Sequence, residues 1–251
     1  MRIEKTKIDG VLLIHPEVYN DERGYFFESF NLQEFREKTG LNDIEFVQDN
    51  ESFSRPYVLR GLHFQKGEYA QAKLVRVVEG CVIDVVVDLR VDSPTYGKYE
   101  TFKLDSKFKT QVFIPRGCAH GFLVIDEDGK GESAVFQYKC DNYYNKEAEG
   151  GILWNDPAIG IPWEKFANQK YLCISEKDKY YPPIEDWFHR LIIEKNELKN
   201  KIDKLVCFMN ADDFLLLDED SKKDMKEQLI HMDYYYNILL RRIERKNRRK
   251  E

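Results

Sequence analysis

The sequence predicts a mainly β protein, an antiparallel β-sandwich or barrel, followed by an α-helical hairpin. Three observations carry that reading. Residues 1–183 are rich in short alternating or β-branched runs cut by turn residues, whereas residues 184–251 switch to apolar steps of three and four. The charge balance changes at the same point. Residues 184–251 hold 15 basic and 15 acidic side chains, so the whole formal net charge of −6 belongs to the first region. Two domains are therefore expected, 1–183 and 184–251.

Strands are expected at Val11-Leu12-Leu13-Ile14, Lys73-Leu74-Val75-Arg76-Val77-Val78, residues 82–87, Gln111-Val112-Phe113-Ile114 and Phe122-Leu123-Val124-Ile125. Turn chemistry separates them: Asp21-Glu22-Arg23-Gly24, Glu79-Gly80, Asp92-Ser93-Pro94, Pro115-Arg116-Gly117 and residues 126–131. One short helix is expected over residues 31–39, with Asn31 as its cap and Gly40 as its stop. Beyond Tyr181-Pro182-Pro183, Leu191, Leu198, Ile202, Leu205 and Met209 form one helical stripe, and Met225, Leu229, Met232, Tyr236, Leu239 and Ile243 a second. Between them, residues 210–220 read as an acidic loop, and Ser221 with Asp224 as a capping box. The hairpin is expected to fold on itself, on a second copy or on another protein.

Composition narrows the function. With 251 residues, 42% hydrophobic and 33% charged, and only 14 Gly and 8 Pro, the chain is globular rather than disordered or collagen-like. Its longest apolar run, residues 81–87, is interrupted by Asp84 and is too short to cross a bilayer. The start, Met-Arg-Ile-Glu-Lys, lacks an apolar leader, so a cytoplasmic protein without a membrane partner is expected. Mild acidity argues against nucleic acid as a partner. The five cysteines form no Cys-x-x-Cys pair and read as reduced, mostly buried thiols.

Chemistry concentrates in two segments, Arg60-Gly61-Leu62-His63-Phe64-Gln65 and Pro115-Arg116-Gly117-Cys118-Ala119-His120-Gly121-Phe122. The second fits Pro-x-Gly-x-x-His, a hallmark of cupin jelly rolls, where the turn aims a histidine into the barrel. In metal-binding cupins the first segment would read His-x-His; here Gln65 replaces the second histidine. Two histidines without a positioned carboxylate make a poor transition-metal site, so no metal is expected. Histidine titrates nearest neutral pH and so suits a general base. Taken alone, His63 is also readable as a satisfied core histidine.

A longer series of segments follows in register: Asp21-Glu22-Arg23-Gly24-Tyr25-Phe26-Phe27-Glu28, Gln48-Asp49-Asn50-Glu51-Ser52, residues 59–65, Gln71-Ala72-Lys73-Leu74-Val75, residues 84–90, Ser93-Pro94-Thr95-Tyr96-Gly97, Ala119-His120-Gly121-Phe122 and Ser175-Glu176-Lys177-Asp178. In this order they resemble the dTDP-4-dehydrorhamnose 3,5-epimerase family of nucleotide-sugar epimerases, over nearly all of residues 1–183. The resemblance implies a cupin-type jelly roll and a nucleotide-diphosphate sugar of the dTDP-4-keto-6-deoxyglucose type, epimerised without a cofactor. It assigns His63 as base, Asp178 as the group orienting it, Lys73 as the cation near O4 and Tyr138 as proton donor. Tyr144 matches a tyrosine that stacks on thymine. Arg23, Arg60, Gln48 and Asn50 match diphosphate and nucleotide contacts, and Glu28, His120 and Glu149 further ligand contacts. It also implies a homodimer with a swapped N-terminal segment, so that Arg23, Phe26 and Glu28 serve the neighbouring subunit.

Other readings remain beside these. Tyr143 and Tyr144 are readable as edge aromatics, Arg60 as the partner of a surface carboxylate and Lys73 as a solvated lysine. Asp84 and Asp88, alternating with valines, face either the barrel or the wet side of a strand. The mouth turn Lys66-Gly67-Glu68-Tyr69 and the extra residues 126–132 depart from the family pattern. Some relatives invert only C3 or only C5, which leaves a mono-epimerase as the first alternative. A non-catalytic nucleotide-sugar-binding adaptor is the second.

Overall fold

The computed structural model describes residues 1–126, 129, 131–184 and 186–247, the side chains of 186–190, 246 and 247 excepted. The strands are β1 (Arg2–Lys5), β2 (Leu12–His15), β3 (Tyr19–Asp21), β4 (Gly24–Phe26), β5 (Gln48–Ser54), β6 (Val58–Gln65) and β7 (Lys73–Glu79). They continue as β8 (Cys81–Asp88), β9 (Tyr99–Asp105), β10 (Gln111–Ile114), β11 (Cys118–Val124), β12 (Ala134–Cys140), β13 (Glu149–Gly151) and β14 (Cys173–Ile174). The helices are α1 (Leu32–Thr39), α2 (Glu176–Lys179), α3 (Asp186–Met209), α4 (Asp212–Leu215) and α5 (Glu219–Asn247).

Two sheets make the β-sandwich. One has the order β1-β2-β10-β7-β12-β5, the other β13-β6-β11-β8-β9. Nearly every pair is antiparallel; β14 departs by joining β6 in parallel. The jumps in strand order place sequence-distant segments side by side, which is how the motifs at 60–65 and 115–122 become neighbours: His63 and His120 are directly paired in the β6–β11 ladder. β8 reads CVIDVVVD and is buried at all eight positions, as a central strand covered on both faces requires.

The main core lies between the sheets. Val75, Val77 and Phe136 from one sheet meet Val82, Val86, Phe122 and Val124 from the other. A second cluster around Phe35, Leu74 and Phe113 seats α1 on the outer face of the first sheet. The α1 cap is as expected: the Asn31 side chain accepts the Glu34 amide, and Gly40 closes the helix in the left-handed conformation at φ 75°.

The crossing of β6 and β11 is close enough to demand glycine. A Cβ on Gly121 would lie 2.5 Å from the Arg60 carbonyl oxygen and 2.9 Å from Gly61 Cα. Gly121→Ala is therefore expected to destabilise the fold by about 1–3 kcal/mol, the usual scale of overpacking, read as a lowered melting temperature. An unchanged melting temperature would show that the two strands separate freely.

The chain divides into two compact units. The first is Met1–Arg90 with Gly97–Ile184; the second joins the Val91–Tyr96 loop to α3, α4 and α5. Inside the second unit, Leu191, Ile192, Ile202, Leu239 and Ile243 are buried between α3 and α5. Lys195, 4% exposed, donates its ammonium to the Val91 carbonyl at 3.0 Å, and Asn196 donates to the Ser93 carbonyl at 2.7 Å. The participation of the 91–96 loop had no sequence signal, because the contact is made by side chains a hundred residues away.

Two local expectations are corrected. Residues 210–220 are not wholly loop, since Asp212–Leu215 form α4 with Phe214 buried. The cap of α5 is Asp218 rather than Ser221: its carboxylate accepts the Ser221 amide at 2.8 Å and hydroxyl at 2.7 Å, so the helix starts at Glu219. An aspartate caps as well as a serine. Cys81, Cys118 and Cys140 are buried, whereas Cys173 and Cys207 are exposed. Part of the extra segment 126–132 and the basic end beyond residue 247 lie outside the described residues. No described helix is long and apolar enough to cross a membrane.

Candidate active site

A cavity of about 520 Å³ opens between the two sheets of the first unit, a size that suits a small organic ligand. His63 on β6 and His120 on β11 line one wall, and Lys73 on β7 and Tyr138 on β12 line the opposite one. Strand alternation explains the arrangement. Lys73 shares its face of β7 with the core residues Val75 and Val77, and Tyr138 shares its face of β12 with Phe136. The Lys73 ammonium sits 5.9 Å from the Tyr138 ring centroid.

The base candidate is held by a carboxylate. His63 Nε2 lies 2.6 Å from Asp178 Oδ1, and the Gly61 amide donates to Asp178 Oδ2 at 3.3 Å. Asp178 is itself positioned by α2, whose N-cap Ser175 accepts the Asp178 amide. Burial pushes the Asp178 carboxyl up, but the hydrogen bond and charge of His63, with the Gly61 and Ser175 contacts, outweigh it and hold the group below its ordinary value. The edge of the Tyr181 ring packs on His63 at a centroid distance of 5.6 Å. One ring nitrogen of His63 is thus engaged, leaving the second for a ligand.

This depressed carboxyl has a consequence for stability. A lowered folded pKa contributes stability that is fully present above the unfolded value of about 3.9 and is lost as pH falls through the folded value. Asp178→Asn is expected to lose about 1.5–3 kcal/mol at pH 7, the scale of a hydrogen bond to a charged group. The gap to the wild-type protein should narrow below about pH 4. Chemical denaturation at pH 7 and pH 3 checks this; a gap independent of pH would remove the electrostatic account.

The acid and cation candidates are shifted by their surroundings. Burial, reinforced by Cys140, Glu149 and Tyr144 and opposed by Arg60, pushes the Tyr138 phenol above its ordinary value, so it keeps its proton at neutral pH. Burial lowers the Lys73 pKa, against the pull of Cys140, Asp84 and Glu149. Burial also pushes the Cys118 and Cys140 thiols to about 12 and about 11, which disqualifies both as nucleophiles.

His120 is fixed by a second carboxylate, with Nε2 2.7 Å from Oδ2 of the fully buried Asp84, and its ring stacks on Phe136. This settles the orientation of Asp84, which faces the interior. Asp88 is equally buried and binds Arg90. The Gln65 side chain accepts the Asn145 amide at 3.0 Å and so pins a loop. Among the described residues, no group of three or more His, Cys, Asp or Glu is placed to hold a metal ion.

The remaining expected binding residues fall into two sets. Arg60 lines the cavity and donates to Ser54 Oγ at 2.9 Å and to the Phe53 carbonyl, not to a surface carboxylate. Gln48 donates to Asn50 and accepts the Tyr144 amide, while the Tyr144 hydroxyl donates to Glu149 at 2.8 Å. Glu149 also pairs with Lys177, which lines the cavity, so these five residues form a network reaching its rim. Tyr144 is 53% exposed, with its ring free for a planar partner. Arg23, Phe26 and Glu28, in contrast, do not line this cavity. Arg23 and Phe26 are on the β3–β4 hairpin, 85% exposed at the Arg23 side chain and 71% exposed at Phe26, and Arg23 pairs with Asp21.

Sequence reasoning missed Ser52, Phe136, Ser175, Lys177 and Tyr181. The Ser175-Glu176-Lys177-Asp178 run offered a signal for two of them, since a helix that aims Asp178 inward carries its neighbours to the same rim. For Tyr181 the sequence offers no signal beyond its place before Pro182-Pro183 at the boundary.

Comparison with known proteins gives two matches that divide the chain. The family model for dTDP-4-dehydrorhamnose 3,5-epimerase matches residues 5–186, and one described as Sequestin matches residues 185–245. A dTDP-4-dehydrorhamnose 3,5-epimerase of Salmonella typhimurium is 52% identical over 163 residues, 65% of this chain and 86% of that one. The crystal structure of the enzyme from Elizabethkingia anophelis superposes with a TM-score of 0.68 at 49% identity, covering 74% of this chain and 97% of that chain. The Legionella pneumophila dTDP-6-deoxy-D-glucose-3,5-epimerase, solved in complex with dTDP-4-keto-L-rhamnose, gives 0.66 at 41% identity, covering 72% and 92%.

Proposed function

The chain belongs to the dTDP-4-dehydrorhamnose 3,5-epimerase family, and from that premise we propose that its first unit epimerises C3 and C5 of a dTDP-linked 4-keto-6-deoxy sugar. The observation that carries this is the opposition of His63 and Tyr138 on facing walls of one cavity. Epimerisation needs a carbon to lose its proton on one face and regain one on the other. The C4 ketone acidifies both neighbouring carbons. His63 takes the proton, Asp178 orients the imidazole and stabilises its cation, and the electron pair moves onto O4 as an enolate. Lys73 stabilises that oxygen, where a fixed cation in a water-poor site acts far more strongly than in bulk water. Tyr138 then gives its proton to the opposite face of the carbon, and solvent restores both groups. No electrons leave the substrate, so no redox cofactor is needed.

The rim supplies recognition. Tyr144 offers a stacking face for thymine, Gln48, Asn50 and Glu149 hydrogen-bonding groups, and Arg60 a forked donor for a diphosphate oxygen. His120, held by Asp84, faces the sugar. Arg23, Phe26 and Glu28 complete the pocket of a neighbouring subunit in a homodimer formed through the jelly roll, which accounts for their exposure in one chain.

Incubation with dTDP-4-keto-6-deoxyglucose in D₂O, with H3 and H5 followed by NMR, tests the reading. Exchange at both carbons is expected; none at either would sink it, and exchange at one alone would restrict the enzyme to mono-epimerisation. Because burial lowers the Lys73 pKa, the alkaline limb of kcat/KM is expected below the ordinary lysine value of about 10.4. A limb at or above that value would assign the loss to another group.

A further inference from the structure

The α5 helix carries a second apolar stripe. Its seam residues Met225, Leu229, Met232, Tyr236, Leu239 and Ile243 recur at three and four, and Leu239 and Ile243 are buried in the hairpin. At about 100° per residue, Ile230 and Tyr234 fall on the opposite side of the helix. Both are 66% exposed, and Ile238 continues their line one turn further. Two such side chains in water on one helix face mark a contact surface rather than scattered exposure.

We propose that this stripe is an interface between two copies of the chain, in which α5 pairs antiparallel with α5 of a second molecule about a twofold axis at Tyr234. The charges on the stripe select this occupant. Ile230 and Ile238 stand four residues either side of Tyr234, and Glu227 and Arg241 seven residues either side. A twofold axis there sets each Ile230 against the partner's Ile238 and each Glu227 against the partner's Arg241, twice over. A twofold interface must be complementary to itself, and this stripe is. Parallel pairing would instead put glutamate on glutamate and arginine on arginine. Lys223 and Arg245, eleven residues either side, meet as like charges only at the open ends, where salt screens them. The two tyrosine rings meet on the axis and supply the largest apolar area of the contact.

A thiol on the axis reads the pairing directly, whichever surfaces join the first units. In the full chain with Cys207→Ser, Tyr234→Cys is oxidised with copper-phenanthroline, beside Gln228→Cys on another side of α5, and peptide mapping scores the 234–234 link. Symmetry-related positions at an axis are the ones whose Cβ atoms come within disulfide reach. The 234–234 disulfide is expected to form at least tenfold faster than the 228–228 disulfide. Adding Arg241→Glu should slow it at least tenfold, and adding Glu227→Arg to that variant should restore it. Equal rates at 234 and 228, or a double charge reversal that rescues nothing, would overturn the proposal. The assay does not use epimerase activity, so its failure and a failure of the proposed reaction are separable.

Discussion

Replacing His63 with alanine is expected to lower kcat for epimerisation by about 10²–10⁴-fold, the range that a positioned general base contributes. It should also stop incorporation of solvent deuterium at C3 and C5. The two effects belong together because abstraction precedes every later step: without enolate there is nothing for Lys73 to stabilise or Tyr138 to protonate. The cavity has a second imidazole, and His120 is the obvious substitute base. Both imidazoles bond a carboxylate through Nε2, but the His120 side chain is 8% exposed against 30% for His63 and is stacked on Phe136, so it is the less open of the two. Deuterium exchange persisting in His63→Ala, and lost only when His120 is also replaced, would transfer the role.

Tyr138→Phe is expected to separate the two halves of the reaction. In the proposed mechanism abstraction relies on His63 across the cavity, so washout of the substrate's own protons should survive largely intact. Inversion needs a donor on the opposite face, and the overall rate of epimerised product should fall by about 10²–10⁴-fold. The phenol is well suited to this step: burial raises its pKa, so it stays protonated in the resting enzyme and yields its proton only to a strong base such as the enolate. Phenylalanine preserves the ring that Lys73 approaches at 5.9 Å and the packing against Phe136, so the fold is retained and the loss reports on the hydroxyl. Equal loss of washout and inversion would argue that Tyr138 acts before the proton leaves, as part of the base rather than as the acid.

Much of this was legible from residues alone. β8 was visible because four valines and an isoleucine recur within eight residues, and α1 because Asn31 and Gly40 bracket it. Short strands such as β13 and β14 were not visible. They are two or three residues long and exist only because β6 offers them an unpaired edge. The hairpin stripes were plain, but the cap of α5 lies at Asp218, three residues before the Ser221 that the sequence suggests, because both side chains suit an N-cap and spacing does not choose between them. The roles of His63, Lys73, Tyr138 and Asp178 came from the resemblance to the epimerase family and not from the residues alone; their distances from one another were not available there.

What the sequence determined by itself is the order of the two units, the periodicity of each and the identity of the chemical groups, because these depend on side-chain type and local spacing. What only the tertiary structure decided is which groups meet. His63 and Asp178 are 115 residues apart in sequence and 2.6 Å apart in space. The orientation of Asp84 toward the interior, the capture of the 91–96 loop by Lys195 and the placement of His63 and Tyr138 on opposite sheets are of the same kind. Each depends on strand order and on which face of a strand is buried, and a chain carries that information only once its sheets have paired.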